Sequence, residues 1–462
     1  MTDSFEAWHL PGLHESELTF TAHQLGDLLV RVPDLTPEQL MRVLAHIDDA
    51  RSALQRTTTR DIVAAIDAVA ARLSAEASPE GALARALLPA ATGFSPQTIE
   101  DVLQHMLRDW RTDSLNAMLR AELGDDNPLD TAVHDTDRSR YISARGPRIA
   151  YQVFSGNVPG VAVTSLIRCL LVKAASVGKT AAGEPVLPVL FARALAAIAP
   201  ELARCIAVTY WPGGTEALEV VATERADVVI VYGGADAVRA VTQRVGADKR
   251  VLVHGPKLSL GLIGRAAAAD TAAAIAYAVA AYDQQGCVSP HVIYAEENGL
   301  VAPKELARSI AHELEKLSIR LPRRRLSVAE TLALRAARAR AEFRSIAGTT
   351  TEVFGAPDAS YTVIYEEDTT FVASCLNRTV YIKPIASAEA VVQLLQPYNG
   401  ILQSVAIAGF SANQAHKLTM LLANCGVTRV TSFELLPWPP MWWHHDGRGP
   451  LRELLTWHDL EF

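Results

Sequence analysis

RCIAVTYWPGGTEALEVVATERADVVIVYGGADAVRAVTQRVGADKRVLVHG, residues 204–255, alternates three short apolar runs with two longer amphipathic ones. CIAVTYW, ADVVIVY and RVLVH read as strands, and GTEALEVVATE and ADAVRAVTQRVG read as helices. Strands that are apolar at nearly every position and alternate with helices predict a parallel sheet covered on both faces. In such sheets ligands bind at turns that follow the carboxyl ends of the strands. This stretch contains two such turns, YGG at 232–234 and HG at 254–255.

The pattern extends in both directions. Upstream, RIAYQVF (148–154) and CLLVKAA (169–175) are predicted strands, and EPVLPVLFARALAAIAPELA (184–203) a helix. Downstream, a second α/β portion contains PHVIYAE, PKELARSIAHELEKL, VAETLALRAARARAEF, YTVIYEE, TVYIKP and SAEAVVQLL. Residues 1–130 read as mostly helical. Thr36, Pro37 and Gln39 form a capping-box start, and Ser95 with Pro96 marks another helix start. GDDNPLDTAVHDTDRSRY (124–141) reads as a polar, turn-rich link, and the end of the chain is rich in Trp and Pro.

The 462 residues allow two or three domains with sizeable cores. A net charge of -8 argues against nucleic acid and against anionic membrane surfaces. No uncharged apolar run reaches the roughly 18 residues that a membrane helix needs. The acidic start lacks a signal-peptide pattern. Five scattered cysteines without CxxC spacing predict reduced thiols in a cytoplasmic protein and no zinc site.

Several residues could carry chemistry. Cys287 in DQQGCVSPH follows a glycine at a break between a helix and a strand, where a nucleophile or a small packing residue would both fit. Asn157 in SGNVPG follows a predicted strand, so its amide could donate to an oxyanion or simply make a turn. Lys173, Ser176 and Lys179 in VKAASVGKT suit a ribose or phosphate. Gly233 and Gly234 precede a helix whose N-terminus could face a phosphate. His254 ends a strand. The basic RLPRRRLS reads as a solvated face, and WWHHDG (442–447) has no metal-site spacing of its own.

The order of these residues resembles the aldehyde dehydrogenase superfamily. SGNVPGVAVTSL, HGPKLSLGLIG, DQQGCVSPHVIY, LPRRRLS and HDGRGPLRELL are similar to its acyl-CoA reductase branch, the Lux-type fatty acyl reductases of bacterial bioluminescence. The resemblance covers roughly residues 140–462. It implies a Rossmann-type cofactor domain (131–256), an α/β catalytic domain (257–430), and a C-terminal segment (431–462) at a domain or subunit contact. A helical N-terminal region (1–130) precedes them. It further implies Cys287 as nucleophile, Asn157 as oxyanion donor, Lys173 and Ser176 at the adenosine ribose, and Gly233 and Gly234 near the pyrophosphate. His254 replaces the glutamate that activates water in hydrolytic members. Ser176 stands where NAD-specific members carry a glutamate, and Lys179 is near it. NADPH is therefore expected, with NADH as the alternative.

The expected reaction is reduction of an acyl thioester, on CoA or a carrier, to an aldehyde through an acyl-Cys287 intermediate. An acyl-activating partner protein and a homodimer or larger assembly would accompany it. The competing readings are an aldehyde-oxidising dehydrogenase and a cofactor-binding subunit without turnover.

Overall fold

The computed structural model describes residues 4–135, 139–356 and 358–461. The chain forms two compact units. One takes residues up to Thr92, 99–255 and Pro440 onward; the other takes Gly93–Thr98 and Pro256–Pro439.

In the first unit the strands Ile149–Val153, Ala175–Lys179, Ile206–Thr209, Val228–Tyr232 and Arg250–His254 form one parallel sheet. Counted along the chain, their spatial order is 5-4-1-2-3. The first strand is central, and the winding reverses between it and Val228–Tyr232. That reversal opens a crevice at the carboxyl edge, the usual ligand position in doubly wound folds. ASVGK and VVIVY are buried at every position.

The predicted strand CLLVKAA is a correction. Residues 169–171 end the helix Val161–Leu171, and the strand begins only at Ala175. This helix is buried from Ala162 to Leu171 except at Thr164, so no polar face betrays its period. It closes as a Schellman motif. Lys173 N–H donates to Leu170 O at 2.9 Å and Ala174 N–H to Cys169 O at 2.9 Å, with Lys173 left-handed at φ 59°.

In the N-terminal region the α-helices begin only at Pro37, after a single 3-10 turn at Glu15–Glu17. Phe5–Glu6, Phe20–Leu25 and Leu28–Pro33 are strands of a three-stranded sheet. The helices Pro37–Arg56, Thr59–Ser74, Pro79–Thr92, Pro96–Asp109 and Thr112–Leu123 follow. The first has the expected capping box, with Gln39 N–H donating to Thr36 Oγ1 at 3.2 Å and Thr36 N–H to Gln39 Oε1 at 2.9 Å. The polar link is also partly sheet. Val133–Asp135 pairs antiparallel with Arg140–Arg145, which pairs with Thr456–Leu460 near the end of the chain. Residues 136–138 of that link lie outside the described residues.

The second unit holds a seven-stranded sheet. Its spatial order is Thr351–Gly355, Thr362–Glu366, Thr379–Ile385, Pro290–Glu296, Leu258–Ile263, Leu402–Ala408 and Arg429–Thr431. Only the first pair is antiparallel. Helices Pro303–Arg320 and Val328–Ile346 match the predicted ones. Among the described residues no helix is long and apolar enough to cross a membrane.

His291, in the strand Pro290–Glu296, is buried, and its Nδ1 accepts the Ser374 N–H at 3.0 Å. Burial drives its pKa down to about 4. The unfolded chain therefore binds a proton that the folded chain refuses between about pH 6.5 and 4. Stability present above that window should fall as the pH drops through it. Urea unfolding at graded pH should show the loss, and His291→Gln should reduce it by about 2–3 kcal/mol at pH 4.

Candidate active site

Each unit carries its own share of the singled-out residues. In the first, parallel strands bring four of the singled-out positions to one sheet edge. Asn157 lies exposed in the turn after Ile149–Val153, Lys179 ends the neighbouring strand, Gly233 follows Val228–Tyr232, and His254 ends Arg250–His254. Gly234 caps the helix Ala235–Thr242. A Cβ at Gly234, Gly213 or Gly214 would meet nothing within 4 Å. These glycines leave backbone open to a close-lying ligand. Gly213 and Gly214 were not singled out in the sequence, although PGG after a strand is the same signal as YGG.

Lys173 and Ser176 are not at this edge. Lys173 precedes its strand, so it sits at the opposite end of the sheet, where its Nζ pairs with Asp130 Oδ1 at 2.6 Å. Ser176 is the second residue of that strand and fully buried. Both expected ribose positions rested on the misplaced strand. Lys179 is at the right edge, but its charge is already matched: Nζ lies 2.6 Å from Glu219 Oε1, with both side chains buried.

His254 sits in a stack of aromatic rings. Its centroid lies 4.5 Å from Tyr232 and 4.3 Å from His445, and Trp443 stacks on His445 at 4.7 Å. His254 Nδ1 lies 2.7 Å from Asp446 Oδ2. A carboxylate only accepts, so Nδ1 carries the proton and Nε2 is the basic atom. Burial lowers the His254 pKa, Asp446 raises it, and Arg168 and Arg448 lower it further. The balance leaves a neutral imidazole in tautomeric register. His254, His445 and Asp446 offer atoms within 4.8 Å of one another. The two flanking arginines make this an unfavourable place for a cation. The 192-residue separation of His254 and Asp446 hides the pairing from any motif.

In the second unit Cys287 follows a strained turn. Tyr282, Asp283 and Gln284 all have positive φ, at 36°, 51° and 65°, and all are buried. Left-handed backbone costs such residues of order 1–3 kcal/mol each and persists only where its surroundings over-determine it. Here they do. Arg378 Nε donates to Asp283 Oδ1 at 2.6 Å, both side chains being fully inaccessible. Arg324 N–H donates to Asp283 Oδ2 at 2.7 Å. Gln284 Nε2 donates to Pro290 O and Thr379 O at 2.7 and 2.8 Å, and Tyr282 OH donates to Pro437 O at 2.8 Å. Arg378 itself ends a second left-handed run, Leu376–Asn377–Arg378. Gly286 is sterically required, because a Cβ there would lie 2.4 Å from Tyr282 Cε2. The Cys287 carbonyl accepts from Ser259 Oγ at 2.8 Å.

Arg429 was missed in the sequence. It is held by Leu436 O at 3.0 Å and Leu435 O at 2.6 Å. Burial brings its pKa down to about 10, while the ionisable groups of Tyr282 and Cys287 act on it in the opposite sense. The Arg429 guanidinium and the Cys287 thiol thus act on each other electrostatically. None of the five cysteines forms a disulfide among the described residues.

The family model for acyl-CoA reductase (LuxC) matches residues 54–457. The chain belongs to the LuxC acyl-CoA reductase family. Its curated relatives include long-chain acyl-protein thioester reductase 2 of Photobacterium leiognathi, 25% identical over 69% of this chain and 65% of that protein. The long-chain acyl-protein thioester reductase of Vibrio harveyi is 24% identical over 68% and 64%. The matched region thus spans slightly less than two thirds of either relative. Among solved structures, aldehyde dehydrogenase 21 of Physcomitrella patens superposes with a TM-score of 0.77 over 100% of this chain and 98% of that one, at 13% identity. That likeness establishes an aldehyde dehydrogenase-like α/β fold.

For this LuxC-family chain the Cys287 turn is the part most open to test. Asp283→Asn would leave Arg378 charged and buried without its carboxylate, so unfolding in urea should show about 3–5 kcal/mol lost. Gly286→Ala should displace Tyr282 and slow alkylation of Cys287 by iodoacetamide, with the other thiols serving as internal controls.

Proposed function

We propose that this protein reduces a long-chain acyl thioester to the aldehyde through an acyl-Cys287 intermediate, with NADPH as reductant. The observation that carries the reading is the over-determined left-handed turn that leads into Cys287, in a chain of the LuxC family. Strain of that kind is kept where geometry matters to chemistry.

Cys287 attacks the thioester carbonyl as a thiolate, forming a new C–S bond. Asn157 is assigned as side-chain donor to the oxyanion, with the Cys287 backbone N–H as the second donor. Collapse of the oxyanion breaks the bond to the donor sulfur, which leaves as a thiol after taking up a proton. His254 is assigned to proton exchange through Nε2, with Asp446 holding its tautomer. His254 stands where hydrolytic members carry a glutamate base. Reduced nicotinamide, when bound, would supply a hydride to bring the acyl group to the aldehyde level, and Cys287 would then leave as thiolate.

The carboxyl edge of the parallel sheet suits such a cofactor. The open backbone at Gly213, Gly214 and Gly234 and the ammonium of Lys179 would hold it. Ser176 no longer supports NADPH over NADH. The support is residues 180–183, Thr-Ala-Ala-Gly, which carry no carboxylate to repel a 2′-phosphate; of the carboxylates nearby, Glu184 is buried with its pKa pushed up to about 8 and Glu219 is paired with Lys179. The acyl donor is read as a thioester on a partner protein or on CoA, in keeping with the names of the relatives and of the family.

Incubation with a radiolabelled long-chain acyl-CoA or acyl-protein, without NADPH, should label Cys287, and Cys287→Ala should take up none. Turnover by the Cys287→Ala protein would overturn the proposal. Asn157→Ala should lower kcat about 100-fold or more. The rate should fall on acidification below the ordinary histidine value of about 6.5, as His254 takes up its second proton. Assays with NADPH and NADH in parallel should show the lower KM for NADPH.

A further inference from the structure

The helix Val328–Ile346 in the second unit is covered on one side only. Leu334, Ala337 and Ala341 are its buried residues. Two arginines fasten it to its own unit: Arg338 Nη1 donates to Ala356 O at 2.9 Å, and Arg344 Nη1 lies 3.0 Å from Glu366 Oε2. Elsewhere on the helix Val328, Leu332, Phe343 and Ile346 are exposed to 79%, 61%, 71% and 85%. Single exposed apolar side chains are ordinary, but such a group on one helix marks a contact surface.

The spacing on this helix has a coiled-coil form. Ala329, Leu332, Ala336, Ala339, Phe343 and Ile346 follow one another at alternating intervals of three and four residues, and each is exposed. At about 100° per residue they form one stripe, roughly opposite Leu334, Ala337 and Ala341. The stripe itself carries no charge. Arg335 and Glu342 flank it on one edge and Arg340 on the other, all three exposed. Arg335 and Glu342 stand two turns apart, about 10 Å along the axis, too far to neutralise each other.

We propose that this stripe binds the same stripe of a second copy of the chain, the two helices running antiparallel about a twofold axis near Ala337 and Arg338. The antiparallel register packs Leu332 against Phe343 of the second copy, Ala336 against Ala339 and Ala329 against Ile346, and the axis repeats each layer. Alanines at the centre let the two backbones approach closely, and the large side chains meet at the ends. In the same register Arg335 faces Glu342 of the second copy, twice by symmetry. A parallel register is disfavoured by charge, since it sets Arg335 against Arg340 of the second copy. A face complementary to itself in shape and in charge is what a twofold interface requires. One helix pair makes a small interface, so a dissociation constant of about 1–100 μM is expected. The contact uses none of the residues assigned to the thioester chemistry.

The test is sedimentation velocity of the full-length protein across that concentration range. The wild-type protein should double its mass as concentration rises. Phe343→Glu puts a charge into the seam and should abolish the doubling. Its side chain is exposed, so the melting temperature at low concentration should not change. Assembly through any other surface would persist in both proteins and cancels in the comparison. Arg335→Glu turns two attractive contacts into two repulsive ones and should weaken association by about tenfold. Adding Glu342→Arg to Arg335→Glu should restore it, because only the antiparallel register joins these two positions. The weakening by Arg335→Glu alone should shrink at about 1 M salt. The proposal is overturned if the wild-type protein shows no doubling, or if Phe343→Glu associates as the wild type does; the stripe then belongs to another occupant. Failure of the double charge exchange to restore association would overturn the antiparallel pairing.

Discussion

The buried pair of Asp283 and Arg378 holds the turn before Cys287 in register. Each side chain is fully inaccessible, and each belongs to a run of three residues in left-handed backbone. Neither run would persist alone, because non-glycine residues avoid that region. Joined by the ion pair, by Gln284 to Thr379 and by Gln285 to Asn377 at 3.0 Å, the two turns define each other. The stabilising value of such a pair against an apolar replacement is small or negative. Its evident effect is geometric. It fixes where the chain leaves the helix Thr271–Ala280, and so where Cys287 stands before the strand Pro290–Glu296.

The first unit reaches precision by a different route. A parallel sheet presents the ends of all its strands along one edge, so residues far apart in sequence become neighbours without specific pairing. Asn157, Lys179, Gly233 and His254 are spread over almost a hundred positions, yet each closes or follows a strand of the same sheet. His254 then gains its tautomer from Asp446, which the chain supplies only after passing through the second unit and returning. A residue that resembles an isolated strand-end histidine is therefore part of a hydrogen-bonded, stacked group.

Much of this was legible in the residues. Continuous apolar runs alternating with amphipathic ones placed four of the five strands of the first sheet. Caps such as Thr36 and Gln39 marked helix starts because the hydrogen bonds that make them are local. The failures have equally local causes. The helix Val161–Leu171 is wrapped in core on nearly every side, and its residues show no period that separates helix from strand. That single misreading moved Lys173 and Ser176 to the wrong end of the sheet. The strands Leu258–Ile263 and Leu402–Ala408, fifth and sixth in the second sheet, were missed although Gly255–Pro256 and Asn399–Gly400 precede them.

The sequence by itself determined the α/β class, the doubly wound half, the cysteine at a helix–strand break and the family to which the chain is similar. All of these rest on patterns within a dozen or so residues. Only the tertiary structure decided which lysine stands at the ligand edge, what orients His254 and what strains the turn before Cys287. Each of these depends on partners about 40 to 190 residues away. Contacts over such distances are selected by packing and desolvation, and neither quantity is written in the local order of side chains.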